Sequence, residues 1–287
     1  MIVIRIWEGL GNQLFQYAYA RTLMEKGLDV RLDVLKYYDN TFKKYRNNDN
    51  RTNSIEKFKI TVPIASEDDL LPFEYIKRES KSDNIKFYLA QKGMWKYKFH
   101  EEKWQRYNEK MNNISGNCYV KGWFQSERYF KTIRHVLLEE LTLKESFDID
   151  SELEDMIQSP SSVSIHLRRG DYVKAHHELN AAYYHQAIKR ILQSVKEPKF
   201  IVFSDDIDWV RRHVEIPGEV KYVTRDSGLE DCQELELMSC CKANIISNST
   251  FSWWAAWLNK NPNKIVLAPK KWINGQEGIV PEEWIIV

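Results

Sequence analysis

The sequence is poor in cysteine and has no long apolar run, and each shortage excludes a class of protein. None of its four cysteines forms a Cys-x-x-Cys pair, and no histidine lies at the spacing of a zinc ligand, which argues against a zinc site. Cys240 and Cys241 lie next to each other in an apolar stretch and are expected to be reduced core thiols. No apolar run reaches the roughly 18 residues that a membrane-crossing helix needs.

An excess of charge is also missing. The 42 Lys and Arg residues nearly balance the 41 Asp and Glu residues, so the net charge is +1 and nothing favours nucleic acid as a partner. Residues 43–46 and 92–98 are locally basic, with lysine alternating with aromatic residues, and we interpret both segments as solvated faces. The chain opens as a strand, without the basic and apolar segments of a signal peptide, so we expect a reducing, cytosolic location.

The sequence does have enough apolar residues for a full core. They make up 43% of its 287 residues, and this length predicts two α/β domains rather than one. Pro160 ends a predicted helix and lies among serines, which is typical of a domain junction. We therefore expect the domains to be residues 1–160 and 161–287.

The first domain begins as strand, glycine loop, helix and strand. Ile2 to Trp7 alternates apolar and polar residues, Leu14 to Lys26 has an amphipathic helical pattern, and Val30 to Val34 predicts a second strand. The loop before the helix contains Gly9 and Gly11 but lacks the third glycine of a dinucleotide-binding motif. Such a loop suits an anion or a close backbone approach, although a tight structural turn is the simpler interpretation of the loop alone.

The second domain repeats strand and helix, which predicts a parallel, doubly wound sheet. Three of its buried strands end in polar loops, namely Arg168 and Arg169, Ser204 to Asp206, and Asn248 to Thr250. In a parallel sheet the carboxyl ends of the strands share one edge, so these loops should converge on one crevice. A Ser or Thr cap at the start of the helix after Asn248 would add a cradle for an anion.

The arginine pair decides which ligand we expect in this crevice. Arginine presents a planar fork of donors that fits phosphate oxygens, and it keeps its charge. The pair therefore predicts a diphosphate site built from arginine rather than from a metal. Two other interpretations stay open for these residues alone. They are surface ion pairs with a turn-capping Asp171, and display of the tripeptide Arg169-Gly170-Asp171 to a receptor.

Two short triplets, Asp148-Ile149-Asp150 and Asp206-Ile207-Asp208, have the form of a metal–diphosphate motif. Such triplets are common by chance, and a metal would only duplicate the charge of the arginines. We therefore expect neither a metal nor another cofactor.

Several segments, taken together, resemble the motifs of the α-1,2-fucosyltransferases, glycosyltransferase family 11. They are Gly9-Leu10-Gly11-Asn12-Gln13-Leu14-Phe15-Gln16-Tyr17-Ala18, His166-Leu167-Arg168-Arg169-Gly170-Asp171-Tyr172, Phe203-Ser204-Asp205-Asp206 and Asn248-Ser249-Thr250-Phe251-Ser252-Trp253-Trp254. The segment from Gly122 to Ser126 is also similar to a family segment. One departure is Glu8, where relatives usually have glycine.

The resemblance implies a GT-B architecture, in which two Rossmann-like domains face a cleft. It implies inverting, metal-independent transfer of L-fucose from GDP-β-L-fucose to the 2-hydroxyl of a terminal galactoside. The acceptor would be an oligosaccharide or a lipid-linked surface glycan, met by a cytoplasmic protein that lies peripherally on the inner membrane face. Acceptor choice is expected in residues 36–110, where no motif is present. A fucosyltransferase of another linkage and a non-catalytic GDP-sugar-binding protein are the alternatives.

The resemblance also implies roles for individual residues. Arg168 would contact the phosphate, whereas Arg169 would either bind it too or brace the loop through Asp171. His166 would lie on the nucleotide side, and Asp206 or Asp205 would bind guanine or ribose. The remaining expected contacts are Asn248, Ser249 and Thr250 on the phosphate side and Gly11 and Asn12 at the fucosyl end.

The general base stays open. Inverting transfer can use a carboxylate or a histidine beside the acceptor hydroxyl, and Asp171, His177 and Glu178 are candidates. A role for Asp171 as an arginine partner or turn cap is the simpler interpretation. A dissociative path, in which the leaving phosphate takes the proton, would need no protein base.

Overall fold

The computed structural model describes residues 1–34, 53–102, 106–224 and 227–287. Residues 36–52, the first part of the region expected to choose the acceptor, and the locally basic segment 43–46 within it lie outside the described residues.

The chain divides into two compact units, Met1–Glu140 and Leu141–Val287. The sequence suggested a junction near residue 160. In the structure, the helix Ser151–Gln158 packs against two strands of the second sheet, so the division falls before that helix.

The first unit is an α/β unit with a four-stranded parallel sheet. Its strands are β1 (Ile2–Arg5), β2 (Val30–Asp33), β3 (Lys98–Glu101) and β4 (Cys118–Lys121). Its helices are α1 (Leu10–Glu25), α2 (Glu67–Leu70), α3 (Lys81–Gln91) and α4 (Arg134–Glu140). The strand order is β2-β1-β4-β3, so β1 and β4 lie side by side at the centre of the sheet.

Helix α1 differs from the prediction in its start and in its burial. It begins at Leu10, so most of the predicted glycine loop forms its first turn. Gly9 is the cap residue and offers no side-chain hydrogen bond, which is why the sequence carries no clear start signal. The helix is not amphipathic, because Gln13 and Gln16 are as buried as Leu14.

The second unit has a six-stranded sheet, again parallel throughout. Its strands are β5 (Ser162–Leu167), β6 (Lys199–Ser204), β7 (Glu219–Val223), β8 (Ala243–Ile245), β9 (Ile265–Ala268) and β10 (Ile285–Ile286). Its helices are α5 (Ser151–Gln158), α6 (Gly170–Ala175), α7 (Ala181–Ser194), α8 (Ile207–His213), α9 (Asp231–Cys240) and α10 (Thr250–Leu258).

The strand order of the second sheet is β10-β9-β8-β5-β6-β7, which is the order of a doubly wound Rossmann sheet. The chain winds one way from β5 through β7 and then returns to the other side of β5 with β8. Leu167 at the end of β5 pairs with Ser204, and Ile165 pairs with Ile245. The α/β class with two Rossmann-like units is confirmed. A cleft between the two units stays a prediction.

Both sheets bury the side chains that the apolar patterns indicated. In the second unit, Ile165, Ile188, Phe200 and Ile245 belong to one core cluster. Cys241 is buried as predicted, whereas Cys240 is exposed at the end of α9, so it is not a core thiol. Among the residues that the structure describes, none of the helices combines the length and the apolar character that a membrane crossing requires.

Candidate active site

Arg168 lies at the carboxyl end of β5, on the edge of the sheet where the winding reverses. Its Nη1 is 3.0 Å from Oδ2 of Asp205, and its Nη2 is 2.8 Å from Oδ1 of Asp171. Its side chain keeps 36% of its surface exposed. Ligands of doubly wound sheets bind outside this edge, so Arg168 has the position and the accessible charge for a phosphate contact.

Arg169 is held much more tightly than Arg168. Its Nε donates to Oδ2 of Asp206 at 3.1 Å, and its guanidinium carbon lies 3.6 Å from the centre of the Trp209 ring. Only 12% of its side chain is exposed. Asp171 pairs with Arg168, and the predicted brace of Arg169 through Asp171 stays a prediction. Because the guanidinium of Arg169 packs on Trp209 and is little exposed, it does not suit display of the tripeptide Arg169-Gly170-Asp171 to a receptor.

Asp205 connects the loops after β5 and β6. Its Oδ1 accepts a hydrogen bond from the backbone N–H of Arg169 at 2.8 Å, and its Oδ2 faces Arg168. A Cβ on Gly170 would lie 2.8 Å from that Oδ2, so the carboxylate could not keep its place beside any larger residue. In this structure the carboxylate of Asp205 positions the arginine loop.

Asp206 is also occupied within the protein. Its carboxylate caps α8 by accepting from the backbone N–H of Trp209 at 3.1 Å, and it pairs with Arg169. Asp208, the other acid of the triplet, lies within α8. No cluster of three or more acidic, histidine or cysteine side chains that could hold a metal occurs in the described ranges.

His166 lies beneath the arginines and is 6% exposed. Its Nδ1 is 3.0 Å from Oγ of Ser247, which follows β8. Burial, aided by the nearby charge of Arg168, lowers the pKa of His166 to about 3. The ring is therefore neutral at physiological pH and links the ends of β5 and β8 without adding charge.

The loop after β8 lies next to the loop after β5, because the two strands are parallel neighbours. Asn248 is buried, and its Nδ2 donates to the backbone carbonyl of His177 at 2.7 Å. Its Oδ1 is buried and has no hydrogen-bond partner among the residues that the structure describes, so an acceptor remains for a ligand donor. Ser249 caps α10 by accepting from the N–H of Phe251 at 3.3 Å, and Thr250 is the first residue of that helix.

The three candidate bases lie on α6 and on the connection that follows it. Asp171 is exposed on α6 and engaged with Arg168. His177 lies with its ring near that of Tyr172, at 6.5 Å between centres, and Glu178 is half-buried beside it. None of the three is singled out by this geometry.

Gly11 and Asn12 follow β1 and lie at the carboxyl end of the first sheet. They form the first turn of α1, and Oδ1 of Asn12 accepts from Nε2 of Gln125 at 2.7 Å. Trp7 Nε1 and Gln16 Nε2 each donate to the carbonyl of Gly122 at 3.3 Å. The loops that follow the central strands β1 and β4 are thereby tied together.

Sequence reasoning missed how many motif residues are structural. Gln13 Oε1 accepts from the backbone N–H groups of Ser54 and Ile55, both at 3.1 Å, and its Nε2 donates to the carbonyl of Glu8. It also missed Trp209, which packs on Arg169. The only signal for Trp209 was its position three residues after the capping Asp206, which puts it in the first turn of α8.

Residues 1–286 match the family model described as glycosyl transferase family 11. This match spans both units, and the chain belongs to that family. The predicted membership is therefore confirmed, and the chain is a glycosyltransferase.

Three relatives indicate the range of its similarity. The chain is 32% identical to an alpha-1,2-colitosyltransferase of Escherichia coli, with 99% of this chain and 98% of the relative covered. It is 31% identical to the O-antigen biosynthesis glycosyltransferase WbnK of Escherichia coli, over 96% and 97%. It is 27% identical to the galactoside 2-alpha-L-fucosyltransferase Sec1 of Mus musculus, over 54% of this chain and 48% of that one.

Proposed function

We propose that this glycosyltransferase moves L-fucose from GDP-β-L-fucose to the 2-hydroxyl of a terminal galactoside in a surface glycan, with inversion at the anomeric carbon. The acceptor is an oligosaccharide or a lipid-linked glycan, and the protein works from the cytoplasmic side. The transfer needs no metal and no resident cofactor. The relatives support the family and the class of glycan, and the donor sugar and the linkage are our inference.

One observation carries the proposal. At the edge where the second sheet reverses, the accessible guanidinium of Arg168 lies on one side and the unpartnered Oδ1 of Asn248 follows the neighbouring strand β8. The guanidinium suits the oxygens of a diphosphate. The amide oxygen suits a hydroxyl or N–H donor of a nucleotide or sugar. A nucleoside diphosphate sugar offers both kinds of group.

Cleavage of the bond between fucose and phosphate leaves GDP with additional negative charge, while the sugar gains oxocarbenium character. A fixed guanidinium beside the leaving β-phosphate binds this charge more strongly in the transition state than in the ground state, which lowers the barrier. Asp205 holds Arg168 from one side, so the guanidinium is oriented before the donor arrives. Arg169 supports the loop from its packed position on Trp209.

The proton of the acceptor hydroxyl needs a destination. Asp171, His177 and Glu178 lie one after another beyond the arginines and are the candidates for a general base. We favour Glu178 over Asp171, because Asp171 is paired with Arg168. Gly11 and Asn12 are proposed to approach the fucosyl end from the first unit.

Colitose is the second candidate for the transferred sugar. The similarity to a colitosyltransferase extends over nearly the whole of both chains, which favours this candidate. Colitose is fucose without its 3-hydroxyl, so a site for fucose should contain a hydrogen-bond partner for that hydroxyl. Losing such a bond in a buried site costs about 1–3 kcal/mol.

The test is a mass-spectrometric transfer assay in excess chelator. It uses GDP-fucose or GDP-colitose with a panel of acceptors that includes N-acetyllactosamine. We expect a product that is one fucose heavier and that an α-1,2-specific fucosidase cleaves. A product that resists this fucosidase would overturn the linkage and keep the donor. A clear preference for GDP-colitose would make colitose the substrate.

Direct binding of GDP separates failure of the acceptor panel from failure of the site. Calorimetry should detect GDP binding to the wild-type chain, and Arg168→Lys should weaken it, whereas Arg190→Lys on the exposed face of α7 should not. Absence of GDP binding would refute the diphosphate site. GDP binding without turnover on any acceptor would favour a non-catalytic GDP-sugar-binding protein.

A further inference from the structure

The surface of helix α3 carries large apolar side chains that the core does not use. Ile85 is 62% exposed, Tyr88 is 58% exposed, and Met94, just beyond the helix, is 72% exposed. Ile85 and Tyr88 are three residues apart and therefore share one face of the helix. We refer to Ile85, Tyr88 and Met94 as the α3 apolar face.

The opposite side of α3 is already packed. Ala90 is buried in a cluster with Phe73 and Phe99, and the ring of Phe87 lies 4.9 Å from that of Phe99. This packing fixes the rotation of the helix about its axis. Ile85 and Tyr88 therefore point outward because of the fold itself, and a different helix rotation would expose the residues that now form the core.

The segment that carries the α3 apolar face is rich in lysine. The lysines of this segment are Lys81, Lys86, Lys92, Lys96 and Lys98. Its one acid between Lys81 and Lys98 is Asp83, whose carboxylate accepts from the N–H of Ser80 at 3.1 Å in the cap of the helix. The ammonium of Lys92 lies 5.8 Å from the ring of Tyr88, at the edge of the apolar face.

Acidic residues lie in the stretch before α3, and two of them have hydrogen-bond or ion-pair partners within that stretch. Asp69 takes part in the capping box of α2, and Glu74 pairs with Lys77 at 3.4 Å. The other acids of that stretch are Glu67, Asp68 and Glu79. They lie in the stretch before α3, part of which packs against that helix, whereas the residues from Lys81 to Lys98 carry five lysines and one acid.

We propose that the α3 apolar face and its lysines dock on the surface of an anionic phospholipid membrane. Interfacial helices combine this arrangement of exposed apolar side chains with lysines on the flanks. The lysine stems can lie along the acyl boundary while their ammonium groups stay among the phosphates, and a tyrosine has the same dual character. This interpretation replaces the solvated face that the sequence suggested for residues 92–98, and it is independent of the donor chemistry.

The experiment measures flotation of the full chain with vesicles. One set contains phosphatidylcholine alone, and the other contains equal parts of phosphatidylcholine and phosphatidylglycerol. We expect binding to the anionic vesicles at low salt and its loss at high salt, because the lysine attraction is screened. Equal binding to both sets, or none to the anionic set, would overturn the proposal.

Variants locate the contact. The triple change Ile85→Ser, Tyr88→Ser and Met94→Ser should reduce binding about tenfold, because it removes the apolar contact. The double change Lys92→Glu and Lys96→Glu should reduce it about a hundredfold through charge reversal. Matched controls are Leu192→Ser on α7, where the leucine is also exposed, and the exposed pair Lys270→Glu and Lys271→Glu.

The substituted side chains are exposed, so circular dichroism and the thermal midpoint should stay at the wild-type values. GDP binding should also be unchanged in the triple variant. Full vesicle binding by the triple variant would refute the α3 apolar face as the contact. A wild-type chain that forms dimers, which the triple variant does not, would show that a second copy and not a membrane covers this face.

Discussion

Each sheet has two neighbouring central strands, β1 and β4 in the first unit and β5 and β8 in the second, yet the loops that follow the two pairs differ in chemistry. In the first unit, the loops after β1 and β4 are tied by amide and carbonyl groups, through Gln16, the carbonyl of Gly122 and the pair of Asn12 with Gln125. The buried carboxylate of Glu102 accepts from the backbone N–H of Trp123 in the loop after β4. In the second unit, the corresponding loops after β5 and β8 contain Arg168 and the buried, unpartnered amide oxygen of Asn248.

This difference shows that the architecture creates two potential sites, and that the loop residues decide what each can bind. An edge with an accessible guanidinium, here called the charged edge, suits a diphosphate, whereas an edge rich in amides, here called the amide edge, suits a sugar. This contrast supports the proposal that the donor binds on the second unit, while Gly11 and Asn12 of the first unit approach the fucosyl end. The predictions below perturb one edge at a time.

Gly122→Ala, at the amide edge, is expected to have the largest effect on stability. A Cβ at this position would lie 2.6 Å from Cζ of Phe124 and 2.7 Å from Cβ of Glu102, and both side chains are buried. Neither can move freely, so we expect a loss of about 3 kcal/mol in the free energy of unfolding. Denaturant unfolding measures it.

The matched change at the charged edge is Gly170→Ala. Its Cβ would meet a single carboxylate oxygen of Asp205, which can rotate more easily than a buried ring. We therefore expect a smaller loss of stability together with weaker GDP binding, because Asp205 positions Arg168. Equal destabilisation by the two substitutions, with GDP binding intact, would contradict the contrast between the edges.

The largest effect on activity is expected from Arg168→Lys. Lysine keeps the positive charge but loses the planar fork, and a charge-assisted hydrogen bond is worth about 1.5–3 kcal/mol. We expect kcat/KM for the donor to fall about tenfold to a hundredfold, with the thermal midpoint unchanged, since Arg168 is partly exposed. Steady-state kinetics with a fixed acceptor give the ratio.

The same substitution at the neighbouring arginine gives the internal control. Arg169→Lys removes the stack on Trp209 and changes the pair with Asp206, so its main effect should be on stability, at about 1–2 kcal/mol. If Arg169→Lys left the midpoint unchanged and Arg168→Lys lowered it, the roles of the two arginines would have to be exchanged.

The parts of this edge that the sequence predicted are those governed by pattern. The residues from Lys199 to Ser204 form strand β6, and polar residues follow β5, β6 and β8 as expected. The pattern did not predict which charged side chains pair. Leu167 lies opposite Ser204 in the sheet, and this register brings Asp206 to Arg169.

Other parts carried too weak a local signal. Helix α3 and strand β3 were not predicted, because α3 has apolar residues on two faces and many lysines, which hides its period. The start of α1 was misplaced because Gly9 provides no capping side chain. In each case packing against the rest of the unit, and not local preference, determines the element.

The pH dependence of stability tests the neutral histidine beneath the charged edge. An unfolded histidine takes up a proton below its ordinary pKa of 6.5, whereas folded His166 stays neutral down to about 3. Protons therefore favour the unfolded state, and stability falls as the pH falls through this window. The contribution is about 1.4 kcal/mol per pH unit, or about 2 kcal/mol between pH 8 and pH 5.

The variant His166→Asn keeps a polar atom near Ser247 and removes the titration. Its free energy of unfolding should decline less steeply with acid than that of the wild type, measured by denaturant titration at several pH values. A parallel decline in both proteins would contradict a neutral, buried His166. His213→Asn, which changes an exposed histidine at the end of α8, is the control and should leave the slope unchanged.

The smallest effect on stability is expected from a change of Glu8, which precedes α1 at the amide edge. Relatives usually have glycine at this position. Glu8 has a φ of +70°, in the left-handed region, which costs a residue with a Cβ about 1–2 kcal/mol. Glycine removes this strain but loses about 0.5–1 kcal/mol through its freedom in the unfolded chain. Glu8→Gly should thus stabilise the fold by about 0.5 kcal/mol relative to Glu8→Ala, which removes the same side chain and keeps the Cβ. Denaturant midpoints of the two variants give the difference directly, and a less stable glycine variant would mean that the loop tolerates this backbone conformation without strain.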